Sequence, residues 1–225
     1  MPRICEPKMK YLRHTIRRIL QEEACASLND KIYGAIELMY QEGLKLEYGL
    51  YAPDFVTVRL VREQAPTTVG YVEGTRDDEG SHGGPCHGAY VIGAANITPK
   101  YRGEGLGALL YDIALELVGD DGLAADRNSV SHDAIRNWKY FKKSPDYEKK
   151  PLDDKKGTYT PDNTEDDCDA GSYFEHGGSL FANENPVPKE YFQKHPLNNV
   201  YIKKDFTQPT LECLKANGLI GKKYV

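Results

Sequence analysis

Residues 88–118, GAYVIGAANITPKYRGEGLGALLYDIALELV, constrain the fold of this chain more than any other stretch. The apolar run from Ala89 to Ile97 reads as a strand, and Thr98-Pro99-Lys100-Tyr101 as the turn that ends it. Arg102-Gly103-Glu104-Gly105-Leu106-Gly107 follows. Leu106, Leu109, Leu110, Ile113 and Leu117 are then spaced as one face of an amphipathic helix. Glycines let backbone approach a ligand closely and adopt positive φ. The first helical turn leaves N–H groups unpaired at the positive end of the helix dipole. An anion is therefore expected on Arg102–Ala108. A bare strand-to-helix connection is the alternative.

Two familiar glycine motifs do not fit. A P-loop needs Lys-Ser/Thr after its last glycine, whereas Gly107 precedes Ala108-Leu109. A dinucleotide fold needs G-x-G-x-x-G within βαβ units, and Gly103-x-Gly105-x-Gly107 is spaced differently. What fits is Arg-x-x-Gly-x-Gly at Arg102–Gly107. With Pro99, Tyr101 and the leucine helix, the stretch resembles the acyl-CoA pyrophosphate loop of the GNAT (GCN5-related N-acetyltransferase) superfamily. That resemblance implies an α/β chain with a mixed, mostly antiparallel central sheet flanked by helices, whose central strands splay to admit acyl-CoA. It implies acetyl-CoA or another acyl-CoA as co-substrate. The pyrophosphate would lie on backbone N–H groups from Arg102, Gly103, Glu104, Gly105, Leu106, Gly107 and Ala108, and the pantetheine along Ile97 and Thr98.

The remaining elements are read from periodicity. Residues 8–25 form an amphipathic helix with Leu12, Ile16 and Ile19 on one side. A second helix, capped by Ser27, Asn29 or Asp30, ends near Gly43. Phe55–Val61 alternates and reads as a strand, with Thr67–Glu73 as its hairpin partner. Asp77–Pro85 is a loop. Leu123-Ala124-Ala125 is a short strand, and Ser129 or Ser131 caps a helix over residues 132–143. The first strand of the resembled fold has no clear counterpart; Leu46–Tyr51 and the N-terminus are weak matches. The resemblance then implies that residues 1–143 form the acyl-CoA-binding core, with N-terminal helices over 8–43. Residues 144–225 form a loop-rich extension packed on it, of unassigned function. Within the extension, Tyr159, Tyr173, Phe174, Phe181, Tyr191 and Phe192 argue for packing. Val200–Ile202 reads as a strand, and Pro209 and Gly218 bracket a last helix.

The resembled family carries a later motif of Asn, Ala three residues on, and Tyr four further. Here those places hold Ser131, Ala134 and Trp138. Tyr140 is the nearest hydroxyl that could protonate the departing thiolate. Asp126, Asn128, Ser129, Ser131, His132 and Asp133 crowd the connection after the short strand, and Asp126, Ser131 or His132 could orient the acceptor or take its proton. A turn-and-cap cluster is the alternative. His82, Cys86 and His87 lack zinc-ligand spacing, and no metal is expected. Cys168, among carboxylates, is no nucleophile.

The net charge of −5 is unevenly placed: residues 1–20 are basic, and residues 145–170 are acidic. The acidic stretch points to an amine acceptor. The basic end leaves nucleic acid possible, as in a phage-like enzyme that modifies DNA bases on a GNAT core. A non-catalytic binding or inhibitory protein is the other alternative. No apolar stretch approaches a membrane span. Five scattered cysteines, at 5, 25, 86, 168 and 213, argue against a disulfide framework and for a cytoplasmic location.

Overall fold

In Leu44–Tyr51 (β1) the side chains of Leu44, Leu46 and Tyr48 are buried between half-exposed Lys45 and Glu47. This is the period-two pattern of a strand with one face on a core. The strand was not clear from the sequence because it lacks β-branched residues and contains Gly49. Its place comes from its neighbours: it pairs antiparallel with Phe55–Arg62 (β2) and parallel with Ile220–Tyr224 (β8). The structure is a computed structural model that describes residues 23–51, 54–76, 88–126, 130–151, 196–204 and 208–224. Expectations for the basic helix before residue 23, for His82, Cys86 and His87, for Asn128 and Ser129, and for residues 152–195 with Cys168 lie outside the described residues.

Ala65–Arg76 (β3), Tyr90–Ile97 (β4), Leu123–Ala125 (β5), Tyr147–Pro151 (β6) and Asn199–Lys203 (β7) complete the strands. Among the described residues they form one sheet in the order β6-β7-β5-β4-β3-β2-β1-β8. The β4–β5 and β1–β8 pairs are parallel and the others antiparallel. The fold is thus mixed α/β, with a mostly antiparallel sheet flanked by helices. The described parts of residues 144–225 are not appended to the sheet but belong to it, as β6, β7 and β8.

The helices are Asp30–Gln41 (α1), Leu106–Val118 (α2), His132–Lys143 (α3) and Pro209–Ala216 (α4). Asn29 is the cap of α1, its side chain accepting from Ile32 N at 3.2 Å. Nearly all of α2 is buried, because it crosses strands β1 to β5 and also touches β7 and the other three helices. Trp138 and Phe141 of α3 fill the core beside Tyr111 and Tyr201; the Trp138 ring lies edge-on to Tyr111 with centroids 5.1 Å apart. Ala89, Val91, Ala124, Val200 and Ile202 form a second buried cluster. They alternate with core-facing Tyr90, Leu123 and Tyr201 and so belong to the opposite face of the sheet.

Two polar positions of α2, Asp112 and Glu116, are buried four residues apart on one face. Lys203 of β7 bonds both, reaching Asp112 Oδ2 at 2.7 Å. Tyr147 donates to Asp112 Oδ1 and the Thr210 hydroxyl to Asp112 Oδ2, each at 2.6 Å. Glu116 accepts from the backbone N–H groups of Thr210 at 2.8 Å and Leu211 at 2.9 Å, capping α4 from the side. This network fastens β6, β7 and α4 to the central helix.

The cysteine expectation is corrected. Cys25, just before α1, is disulfide-bonded to Cys213 in α4 across 188 residues of sequence. An odd, scattered set of cysteines hides this long-range bridge, because pairing depends on which chain segments the fold brings together. Among the described residues no helix is long and apolar enough to cross a membrane.

Candidate functional site

β4 and β5 lie side by side near the centre of the sheet. β4 pairs with β5 through Tyr90↔Leu123, Val91↔Ala124 and Ile92↔Ala125. Asp126 N also bonds to Ile92 O, at 3.4 Å. Ala94–Ile97 pairs on the other side, with β3. β4 carries a bulge: Glu73 faces Ala94 while Gly74 faces Ile92, so Gly93 is an extra residue. A bulge bends its strand and increases the local twist. A Cβ added at Gly93 would find nothing within 4 Å. Gly93, Ala95 and Asn96 are exposed.

At the end of β4 the chain turns into the glycine loop. Thr98 N donates to Val69 O at 2.9 Å, and Pro99–Tyr101 forms a 3₁₀ turn. That turn is pinned from below: the buried Tyr101 donates to Glu42 Oε2 at 2.7 Å, Lys100 Nζ reaches the same oxygen at 2.9 Å, and Arg62 bonds the Tyr101 hydroxyl. The hydrogen bonds from Lys100 and Tyr101 hold the Glu42 carboxyl below the usual carboxylate range. A depressed folded value contributes stability above the unfolded value, about pH 4.3, that is lost as pH falls through the folded value. Glu42→Gln is therefore expected to lower Tm at pH 7, with the gap to the native chain closing between about pH 5 and pH 3; thermal melts across that range check it.

Arg102 is exposed and its Nε donates to Ile97 O at 2.9 Å, tying the loop to the strand end. Gly103 and Gly105 have φ of +88° and +82°, the left-handed region where side chains are strained. At Gly105 a Cβ would also lie 3.1 Å from Lys31 O of α1. The first helical bond of α2 is Leu109 N to Gly105 O, 3.0 Å. The N–H groups of Leu106, Gly107 and Ala108 consequently have no acceptor within the helix. A Cβ at Gly107 would lie 3.0 Å from Asn137 Nδ2, so this α3 carboxamide stands over the first turn. Asn137 escaped the sequence reading because it belongs to no motif; only the pairing of α3 with α2 reveals it.

The other sequence candidates are dispersed. Thr98 is half-buried and Glu104 exposed. Asp126, half-buried, stands where β5 leaves β4. Ser131 is the cap of α3 and accepts from Ala134 N at 3.2 Å. Tyr140 packs against Phe141 and Tyr147, with Lys31 Nζ 4.4 Å above its ring. Burial first, then the Asp112 charge, pushes its hydroxyl up to about 12. Trp138 is core. His132 is exposed at the first turn of α3. Among the described residues no three His, Cys, Asp or Glu side chains are grouped to hold a metal.

No known family, curated protein or solved structure matches this chain.

Proposed function

We propose that the chain is a GNAT-like acyltransferase that moves an acetyl or related acyl group from acyl-CoA to an amine. The observation that carries this reading is the β4 bulge at Gly93 followed by a glycine turn whose first helical N–H groups have no acceptor within the helix. A splayed pair of central strands ending at an anion-binding turn is what the resembled family uses to hold its donor. The diphosphate fits the first turn of α2, where Leu106, Gly107 and Ala108 supply N–H donors, Asn137 a carboxamide and Arg102 positive charge. The pantetheine amides would lie along the exposed stretch from Gly93 to Asn96, as an added strand would.

With the donor so held, an amine entering at the bulge attacks the thioester carbonyl. Asp126, directly after β5, takes the ammonium proton, and the thiolate leaves with a proton returned to it. Holding the two reactants together supplies part of the acceleration. Tyr140, which keeps its proton at neutral pH, is the proposed donor to the thiolate. Asp126→Asn is expected to lower kcat by about 10²-fold or more with little change in acyl-CoA affinity; steady-state kinetics over a panel of amines check it. A Tyr140→Phe variant with native kcat would remove Tyr140 from this scheme and leave the rest standing.

The second reading is a protein that binds acyl-CoA without turnover. The buried position of Trp138, where the family presents a hydroxyl, favours it. Acyl-CoA binding with no product from amines, proteins or nucleic acids would select it.

A further inference from the structure

The Cys25–Cys213 bridge lies at a particular junction. Cys25 is 4 % exposed and Cys213 fully buried, and Asn217 Nδ2 lies 3.4 Å and 3.7 Å from the two sulfurs. On one side, α4 is fixed to α2 by the Glu116 bonds to Thr210 N and Leu211 N. On the other, the chain passes from Cys25 through the Asn29 cap into the first turn of α1. That turn presents Lys31 O and, one turn on, Ala35 to the back of Gly105, the residue at which the glycine loop becomes helix.

We infer that the Cys25–Cys213 disulfide is a redox-sensitive staple that sets how firmly α1 backs the glycine loop. Two unbonded sulfurs need more room than a bonded pair, and a close-packed interior has none to spare. When a dithiol attacks the bridge, the S–S bond breaks through a mixed disulfide. The dithiol is oxidised to its cyclic disulfide, and two electrons and two protons end on the Cys25 and Cys213 thiols. A small-molecule disulfide such as oxidised glutathione reverses the step, leaving as two thiols. Because Glu116 holds α4, the segment that yields is the one before α1. Its movement withdraws Lys31 and Ala35 from Gly105. The loop then loses its backing while β2 and β3 keep their pairing. This inference is independent of what the loop binds.

The test is hydrogen exchange on the full chain in the two redox states, with peptide mapping of the bridge. In a glutathione-disulfide buffer Cys25 and Cys213 should map as one cross-linked peptide pair. After reduction by a dithiol, amides of residues 26–35 and of Leu106–Ala108 should exchange at least about tenfold faster, while those of β2 and β3 stay unchanged. The Cys25→Ser/Cys213→Ser chain should match the reduced protein in both redox buffers. Three results would overturn the inference. They are separate, alkylatable thiols in the oxidising buffer, equal loop exchange in both states, and a uniform rise that includes β2 and β3, which would make the bridge a global staple.

Discussion

Gly107→Glu is expected to abolish stabilisation by acetyl-CoA while leaving the fold intact. The position separates binding from folding better than either neighbouring glycine. Gly103 and Gly105 need positive φ, and Gly105 is also backed by the Lys31 carbonyl, so substitution there strains the chain whatever its effect on ligand. Gly107 has ordinary helical backbone, and the nearest atom to an added Cβ is the end of the Asn137 side chain, which can rotate away. A glutamate there places a carboxylate at the proposed diphosphate site. Like charges at close quarters cost several kcal/mol, and each 1.4 kcal/mol is tenfold in affinity. Acetyl-CoA affinity should fall by at least about 100-fold with Tm unchanged within a few degrees. Gly107→Ala, which adds bulk without charge, should lose much less. Equal acetyl-CoA affinity in the native and Gly107→Glu chains would place the donor elsewhere.

The largest stability effect is expected at Lys203→Met. Lys203 bonds two carboxylates that are almost wholly buried, with side-chain exposures of 1 % for Asp112 and 0 % for Glu116. Burial alone would lower the Lys203 ammonium, but Asp112 and Glu116 outweigh it and hold it raised. A raised folded value contributes stability that is complete below the unfolded value, about 10.4, and is lost as pH rises through the folded one. Removing one member of a buried ion group leaves charge uncompensated, at a cost of about 3–5 kcal/mol. For a chain of this size that lowers Tm by on the order of 10 °C. Burial already raises the Glu116 carboxyl, with Lys203 opposing. Without Lys203 it rises further and takes up a proton as the solution is acidified. The deficit should therefore shrink from pH 7 to pH 5. A deficit that is constant with pH, or below about 1 kcal/mol, would mean the network is not the anchor of β7 and α4.

The sequence was most legible where local pattern and tertiary role agree. The strand at 90–97, the helix at 106–118, the short strand at 123–125 and the helix at 132–143 follow from apolar periodicity and from caps within the same stretch. The glycines of the loop were legible as turn chemistry, and the structure adds why two of them require positive φ. β1 was harder to read, because its strand character depends on β2 and β8 as much as on its own residues. Gly93 carried a signal not taken up: a glycine within a strand pattern marks a bulge, and β4 has one there. Asp112 and Glu116, two acids in an otherwise apolar helix, announced a buried partner without naming it. That partner, Lys203, is some 90 residues on. Asn137 and the Cys25–Cys213 bridge depend wholly on which elements the fold brings together, and no spacing encodes them.

The central claim is that the α2 first turn grips the diphosphate of a thioester carrier, and calorimetric titration of the full chain with CoA and with pantetheine tests it most directly. The two share the thiol arm and differ in the nucleotide diphosphate. Saturable binding of CoA at least about 100-fold tighter than that of pantetheine is the predicted result. Equal binding of the two, or no heat with CoA under conditions where the chain is folded, would contradict it.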